Sequence, residues 1–482
     1  MNYGMIRYIL GRILIVEAIL LCLPVAVGLI YREPWFNIQA ILLTIFILLA
    51  VGIPLSWKRP RKTAFFAREG YSIVALTWFL MSFFGSLPFV FGGTIPFPVD
   101  AFFETASGFS TTGASILTNV EALPHSIMFW RSFTHLIGGM GVLIFALAIL
   151  PQVGADSVHL MKAESPGPSF GKIMSKVSQT ARVLYIIYLS MTAVLIILLV
   201  LGGMPFFDSL LHAFGAAGTG GFSIKNSSVG FYDNSYVEVV LGVAMILFGV
   251  NFNVYFLLMM RQFKTAFKNE ELRWYFGIIA VAIGLICLNV SSFYDNFAAM
   301  LKDVFFTVSS IITTTGFTTR DFDRWPLTSH VILLFLMFCG AMAGSTGGGI
   351  KVSRIAIYLK TSLQEVRHMI SPNRILPIKF EGKVIDRDLL RGISFFFMTY
   401  MFFFSFCVLI VSIDAPNFVT ALSAVAATLN NIGPGLDMVG PAGNYAQLSN
   451  LSKFTLSIAM IAGRLEIFPV LVLLTPRTWR RM

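Results

Sequence analysis

The chain has 482 residues, of which 56% are hydrophobic and only 12% charged, with a mean hydropathy of +0.79. Charged residues make up about 25% of an ordinary soluble domain, so a soluble globular architecture is excluded for the bulk of the chain. The net charge of +11 would suit a nucleic-acid binder, but its distribution along the chain argues against that.

Apolar runs that match the ~20 residues of a spanning helix recur from end to end. They lie at 9–30, 38–57, 72–91, 128–150, 184–202, 237–259, 275–290, 331–359, 393–412 and 456–474. The first is long and lacks a small-residue cleavage site, so it reads as a span and not as a signal peptide. No separate soluble domain is left between the spans. Cys22, Cys287, Cys339 and Cys407 all sit in apolar runs without metal or disulfide spacing. The six histidines form no i,i+4 pair, so no metal site is expected.

Basic residues cluster in alternate loops. Two open the first span (Arg7, Arg12), and five lie in 58–68, four in 162–182, four in 261–273, nine in 351–391 and three in 477–481. These 27 fall on one side if the chain crosses and returns between basic segments. Six fall on the other side (Arg32, Lys225, Lys302, Arg320, Arg324, Lys453), and Arg131 and Arg464 lie within apolar runs. This is the positive-inside pattern, and it predicts that both termini are cytoplasmic.

Between the spans stand four shorter segments that repeat one another. They are DAFFETASGFSTTG (100–113), DSLLHAFGAAGTG (208–220), DVFFTVSSIITTTG (303–316) and TALSAVAATLNNIG (420–433). Asp100, Asp208, Asp303 and Thr420 read as helix N-caps. About nine apolar or small residues follow, then a polar run closed by Gly113, Gly220, Gly316 or Gly433. An apolar stretch of this length suits a re-entrant half-helix. Irregular backbone at membrane depth is tolerated only when buried in protein or lining a wet cavity. Four loops meeting on one axis satisfy that condition, and their carbonyls then replace the hydration shell of a cation. The partially negative C-terminal ends of the half-helices favour the same ion. The expected fold is an all-α polytopic membrane protein: two N-terminal helices (1–67), then four pseudo-symmetric repeats of helix, pore half-helix, filter loop and helix around one pore. The repeats divide at 68–160, 161–268, 269–375 and 376–482.

STTGAS, GTGGFS, TTTGFTT and ATLNNIGPGL resemble the four filter loops of the Trk/Ktr/HKT superfamily of potassium transporters. REG at 68–70, GGMG at 138–141, AGSTGGG at 343–349 and GRLE at 463–466 extend the resemblance over essentially the whole chain. It implies potassium uptake across the bacterial inner membrane through a filter formed by Thr111, Thr112, Gly113, Gly218, Thr219, Gly220, Thr314, Thr315, Gly316, Asn431, Ile432 and Gly433. Glycine at all four closing positions implies selectivity for potassium over sodium. The resemblance also implies a homodimer with one pore per subunit and a cytosolic ring of nucleotide-binding TrkA-type subunits. This chain itself carries no nucleotide fingerprint, so any nucleotide acts through that partner. Potassium is the transported substrate, and no cofactor or enzymatic activity is expected. The alternative is a proton- or sodium-coupled symporter using the same pore. Basic loops at 151–182, 261–273 and 360–391 are the docking surface for the ring, or else meet anionic lipid.

GAMAGSTGGGIK (340–351) interrupts the second spanning run of the third repeat. Gly344 and Gly349 have the spacing of a phosphate loop, but Ile350 separates Gly349 from Lys351 and no strand precedes them. Gly340 and Gly344 have the GxxxG spacing of close helix packing, which leaves the glycine triplet and Ser345–Thr346 unexplained. Each interior glycine costs about 1 kcal/mol relative to alanine, so Gly347, Gly348 and Gly349 point to an unwound segment. The resemblance makes Gly344, Ser345, Thr346, Gly347, Gly348 and Gly349 a gate. Arg464 lies between apolar runs, and a charge at depth is a functional candidate by default. The family carries an arginine near its gating loop, narrowing the path and repelling cations. Arg131, near the outer start of its helix, reads as a structural anchor.

Overall fold

The computed structural model describes residues 1–60, 67–141, 177–371, 373 and 377–479. Helices α1 (Tyr3–Leu20) and α2 (Cys22–Ile30) make the first span, and α3 (Trp35–Ser56) returns. They pack closely because both carry a glycine at the crossing. A Cβ on Gly11 would stand 2.7 Å from the Gly52 carbonyl oxygen, the small-residue contact that membrane helices use in place of a hydrophobic drive.

Four units follow. The first has α4 (Ala67–Gly85) with the short α5 (Leu87–Phe91), the half-helix α6 (Pro98–Phe109) and α7 (His125–Gly139). The second has α8 (Val177–Leu201), the half-helix α9 (Phe206–Gly218), then α10 (Ser235–Phe248) and α11 (Phe252–Met259), followed by the short α12 (Phe263–Phe267). The third has α13 (Glu270–Val290), the half-helix α14 (Phe297–Ile312), α15 (Leu327–Cys339) and α16 (Val352–Ile370). A two-stranded antiparallel hairpin, β1 (Lys379–Phe380) and β2 (Lys383–Val384), joins it to the fourth. That unit has α17 (Arg387–Val411), the half-helix α18 (Phe418–Leu429), α19 (Asn450–Arg464), α20 (Phe468–Leu474) and the terminal α21 (Pro476–Trp479). Apart from the hairpin the described residues form an all-helical polytopic membrane protein. The expected boundary at 160/161 and most of the basic segment 151–182 lie outside the described residues.

The half-helices have 12, 13, 16 and 12 residues. At ~1.5 Å per residue a 12-residue helix covers about 18 Å of a ~30 Å hydrocarbon core, so each ends at depth. Their N-caps differ from the expected ones. Phe97, Pro205, Asn296 and Asn417 hold the cap positions, and the Asn296 and Asn417 side chains accept from Ala298 and Thr420 N–H at 2.9 Å. Asp100, Asp208 and Thr420 sit inside the first turn, where an acid or a hydroxyl still suits the free N–H groups. Asp303 lies deeper, buried and paired with Arg320 at 3.3 Å.

Three expected spans are broken. The run 237–259 bends by 90° between α10 and α11, and 456–474 by 120° between α19 and α20, where Glu466 and Ile467 take φ of +57° and +67°. The run 331–359 is non-helical across the glycine-rich stretch that separates α15 from α16. Apolar composition registers the length of such a run but not a reversal of the backbone within it.

Candidate functional site

Each half-helix leads into a loop with one backbone pattern. Thr111, Thr219, Thr314 and Asn431 all have positive φ, between +54° and +58°. A β-branched residue in the left-handed region is an outlier that persists only where its surroundings over-determine it. The next residue donates its N–H five positions back, Thr112 to Ser107, Gly220 to Gly215, Thr315 to Ser310 and Ile432 to Ala427, at 2.8–2.9 Å. A left-handed glycine follows: Gly113 (+81°), Gly221 (+69°), Gly316 (+86°) and Gly433 (+97°).

The second quarter therefore closes on Gly221. Gly220, the expected closing residue, is the counterpart of Thr112, Thr315 and Ile432. Gly218 correspondingly aligns with Ser110, Thr313 and Asn430. The sequence carried the signal, since Gly113, Gly221, Gly316 and Gly433 each stand thirteen residues after Asp100, Asp208, Asp303 and Thr420.

The four loops interlock in a ring. A Cβ on Gly113 would overlap the Gly220 carbonyl oxygen, one on Gly221 that of Thr315, and one on Gly316 that of Ile432. One on Gly433 would stand 2.7 Å from the Thr112 oxygen. Each carbonyl thus occupies the space left by the glycine of the preceding quarter, and the fourth quarter returns to the first. Side chains fix the ring from behind. Asn431 Nδ2 donates to Thr112 Oγ1 and to the Met460 carbonyl, both at 2.9 Å. The Tyr445 hydroxyl donates to the Gly433 carbonyl at 2.8 Å, and Thr313 and Thr315 hydroxyls pair at 2.8 Å. Arg131 joins Glu104 of α6 at 2.6 Å, the Ser223 carbonyl at 3.0 Å and the face of Phe222, so it ties the half-helix α6 to the loop after α9.

The glycine-rich break lies directly against this ring. Gly348 N–H donates to Thr314 Oγ1 at 2.6 Å. A Cβ on Gly348 would overlap the Asn430 carbonyl, and one on Gly347 would stand 3.0 Å from the Thr313 oxygen. The loop thus meets the C-terminal ends of α14 and α18. It also fills the bend between α10 and α11: Met342 N–H donates to the Gly249 carbonyl, Phe252 N–H to that of Gly344, and the Thr346 hydroxyl to that of Phe248.

Two buried cations hold the loop. Arg464 donates to the Thr346 carbonyl at 2.5 Å and, with its other terminal nitrogen, to Gly138 and Gly139 at 2.7 and 2.5 Å. Lys351 donates its ammonium to the Gly347 carbonyl. Sequence reasoning counted Lys351 and Arg354 among the cytoplasmic loop charges, yet both are buried. Their place directly behind the glycine triplet was the available signal. Arg354 forms a two-point pair with Glu466, at 2.6 and 2.9 Å, and covers the Phe396 ring. Glu466 is therefore committed to α16 and not to Arg464. Among the described residues no group of His, Cys, Asp and Glu is arranged to hold a metal.

The sequence model of TrkH, described as a cation transport protein, matches residues 37–480. The chain is 37% identical to the Trk system potassium uptake protein TrkH of Salmonella typhimurium and 36% identical to that of Escherichia coli, each over the full length of both chains. The crystal structure of the potassium transporter TrkH from Vibrio parahaemolyticus superimposes with a TM-score of 0.89 at 33% identity, again covering all of both chains. With the match spread over every repeat, the chain belongs to the TrkH family of cation transport proteins.

Proposed function

We propose that this chain takes up potassium across the bacterial inner membrane by channel-like permeation through a gated pore. The observation that carries the reading is the closed ring of four left-handed loops, each carbonyl seated against the glycine of its neighbour. Such a ring offers oxygen dipoles in place of a hydration shell, at the negative ends of four half-helices. In this reading the ion-binding residues are Thr111–Gly113, Gly218–Gly221, Thr314–Gly316 and Asn431–Gly433, extended by Gly221.

The segment from Gly344 to Gly349 is the gate, closed in this conformation by its own backbone and by the charges of Arg464 and Lys351. Both cations spend their donors on carbonyls of the loop or of α7, so they hold the obstruction and repel an approaching ion together. The protein works as a homodimer, and its termini are cytoplasmic, an orientation that the loop charges support. Nucleotide control comes from a TrkA-type ring, consistent with the Trk-system names of its relatives. The chain is a transporter and not an enzyme.

Current through purified protein in planar bilayers or liposomes tests this. The reversal potential should follow the potassium Nernst potential whatever the sodium and proton gradients. A reversal that moves with either gradient would establish the coupled symporter, and an absence of potassium flux in folded protein would remove the reading altogether.

A further inference from the structure

One buried carboxylate holds both ends of the glycine-rich loop. Oε1 of Glu271 accepts the Ala343 N–H at 2.7 Å and the Ser353 N–H at 3.0 Å. Ala343 stands before the glycine run and Ser353 is the second residue of α16. A single oxygen therefore fastens the entering limb of the loop to the helix that leaves it. Glu271 is only 3% exposed and lies within electrostatic reach of Lys351.

Glu271 is also the second residue of α13, and its backbone is held from a different direction. The first N–H groups of a helix have no partner within the helix. Here those of Glu270 and Glu271 both donate to Oε1 of Glu381, at 2.9 and 3.0 Å. Glu381 lies in the turn of the β1–β2 hairpin, with φ of +52°. Its own N–H returns to Glu270 Oε2 at 3.2 Å. Lys360 of α16 pairs with Glu270 and donates to the Lys379 carbonyl at 2.9 Å. So the residue whose side chain grips the loop has its backbone capped by the hairpin.

We propose that Glu381 and Glu271 form a latch that couples the position of the β1–β2 hairpin to the closed loop, both acting as positioning residues. It rests on the gate reading above. The hairpin is suited to the task. Its strands have two residues each, and an isolated two-stranded hairpin is marginal in water. It is seated by buried Phe380 against Ala356 and Ile357 of α16, and Lys383 and Val384 are exposed. Asn269 caps the next turn, accepting the Leu272 N–H at 2.8 Å. A partner that draws the hairpin away therefore frees only the N–H groups of Glu270 and Glu271, which loosens the start of α13 and shifts the Glu271 carboxylate off Ala343 and Ser353. This route to the loop runs through α13 and adds to any pull transmitted along α16.

The test uses the full chain in liposomes without partners. Glu271→Ala, Glu381→Ala, the double variant and Arg464→Ala are compared by rubidium flux and by amide hydrogen exchange over residues 341–353. Alanine is used because glutamine would keep the accepting oxygen. Each single glutamate-to-alanine variant should raise flux at least fivefold and speed exchange in the loop, and the double should go no further than the larger single, as expected of two links in series. If Arg464→Ala raises flux while both of these variants keep wild-type flux and exchange, the latch is wrong and the gate stands. If Arg464→Ala leaves flux unchanged, the gate reading fails, and exchange alone then decides whether the latch holds the loop. Effects that multiply in the double variant overturn the series coupling. Should Glu271→Ala not assemble, Glu381→Ala on the hairpin carries the same comparison alone.

Discussion

Gly220 and Gly221 are adjacent glycines with different reasons to be glycine. At Gly221 a side chain meets the Thr315 carbonyl, which is backbone of the next quarter, and φ is left-handed. At Gly220 the obstacle is the His135 ring, 2.5 Å from the position a Cβ would take, and φ is ordinary. That ring is stacked on Phe222 at 4.2 Å, and neither of its nitrogens has a partner among the described residues. Gly220→Ala should therefore lower the potassium-to-sodium permeability ratio in the wild-type background and recover when combined with His135→Ala. Gly221→Ala should lose selectivity and about 1–3 kcal/mol of stability, with no recovery from any side-chain change behind it. Gly113→Ser belongs with Gly221→Ala, and an unchanged permeability ratio in folded Gly113→Ser would remove the filter assignment. The polar run at the end of each repeat was readable from composition alone. The quarter that closes on Gly221 was misplaced by one residue because three glycines crowd positions 218, 220 and 221. The thirteen-residue spacing from Asp208 and the φ pattern together separate their roles.

At the scale of elements, the half-helices were visible as apolar stretches too short to span. The broken second helices were not, because bending is decided by tertiary hydrogen bonds. The loop after α15 is non-helical not only because glycine disfavours helix, by about 1 kcal/mol per residue. Its backbone groups are also claimed by Gly249, Phe252 and Thr314. Two like charges sit on one loop. A unit charge at ~4 Å and an effective dielectric of ~20 opposes a cation by about 4 kcal/mol, so removing one should matter. Arg464→Ala, or deletion within 344–349, should raise partner-free potassium flux at least tenfold, measured by rubidium uptake into liposomes. Lys351→Gln should do so more weakly, since it grips one carbonyl where Arg464 grips three. Folded variants that conduct less than wild type would make the loop a packing element. Lys351 escaped sequence reasoning because a lysine beside a cytoplasmic loop counts equally well as a topology signal.

For the whole molecule, charge asymmetry between loops and the fourfold repeat were both open to reading in one dimension. Assembly is where that reading thins out. Basic segment 151–182 lies largely outside the described residues, as does Arg374, while Arg367 is exposed on the last turn of α16. If 360–391 docks a nucleotide-binding ring, neutralising Arg367, Arg374 and Lys379 together should abolish nucleotide-dependent activation. Membrane insertion and the partner-free leak should stay at wild-type levels. Activation that survives the triple change at ordinary salt would assign those charges to topology and lipid. The interlocked ring has a consequence for how such a protein changes over generations. One gene writes four unequal walls, so a single base change alters one wall and leaves three as they were. A channel assembled from four identical subunits has every wall rewritten by the same event. If the ring sets ion preference as proposed, that preference changes one quarter at a time. The four walls are already unequal in this sense, the fourth having Asn431 and Ile432 where the first and third carry paired threonines.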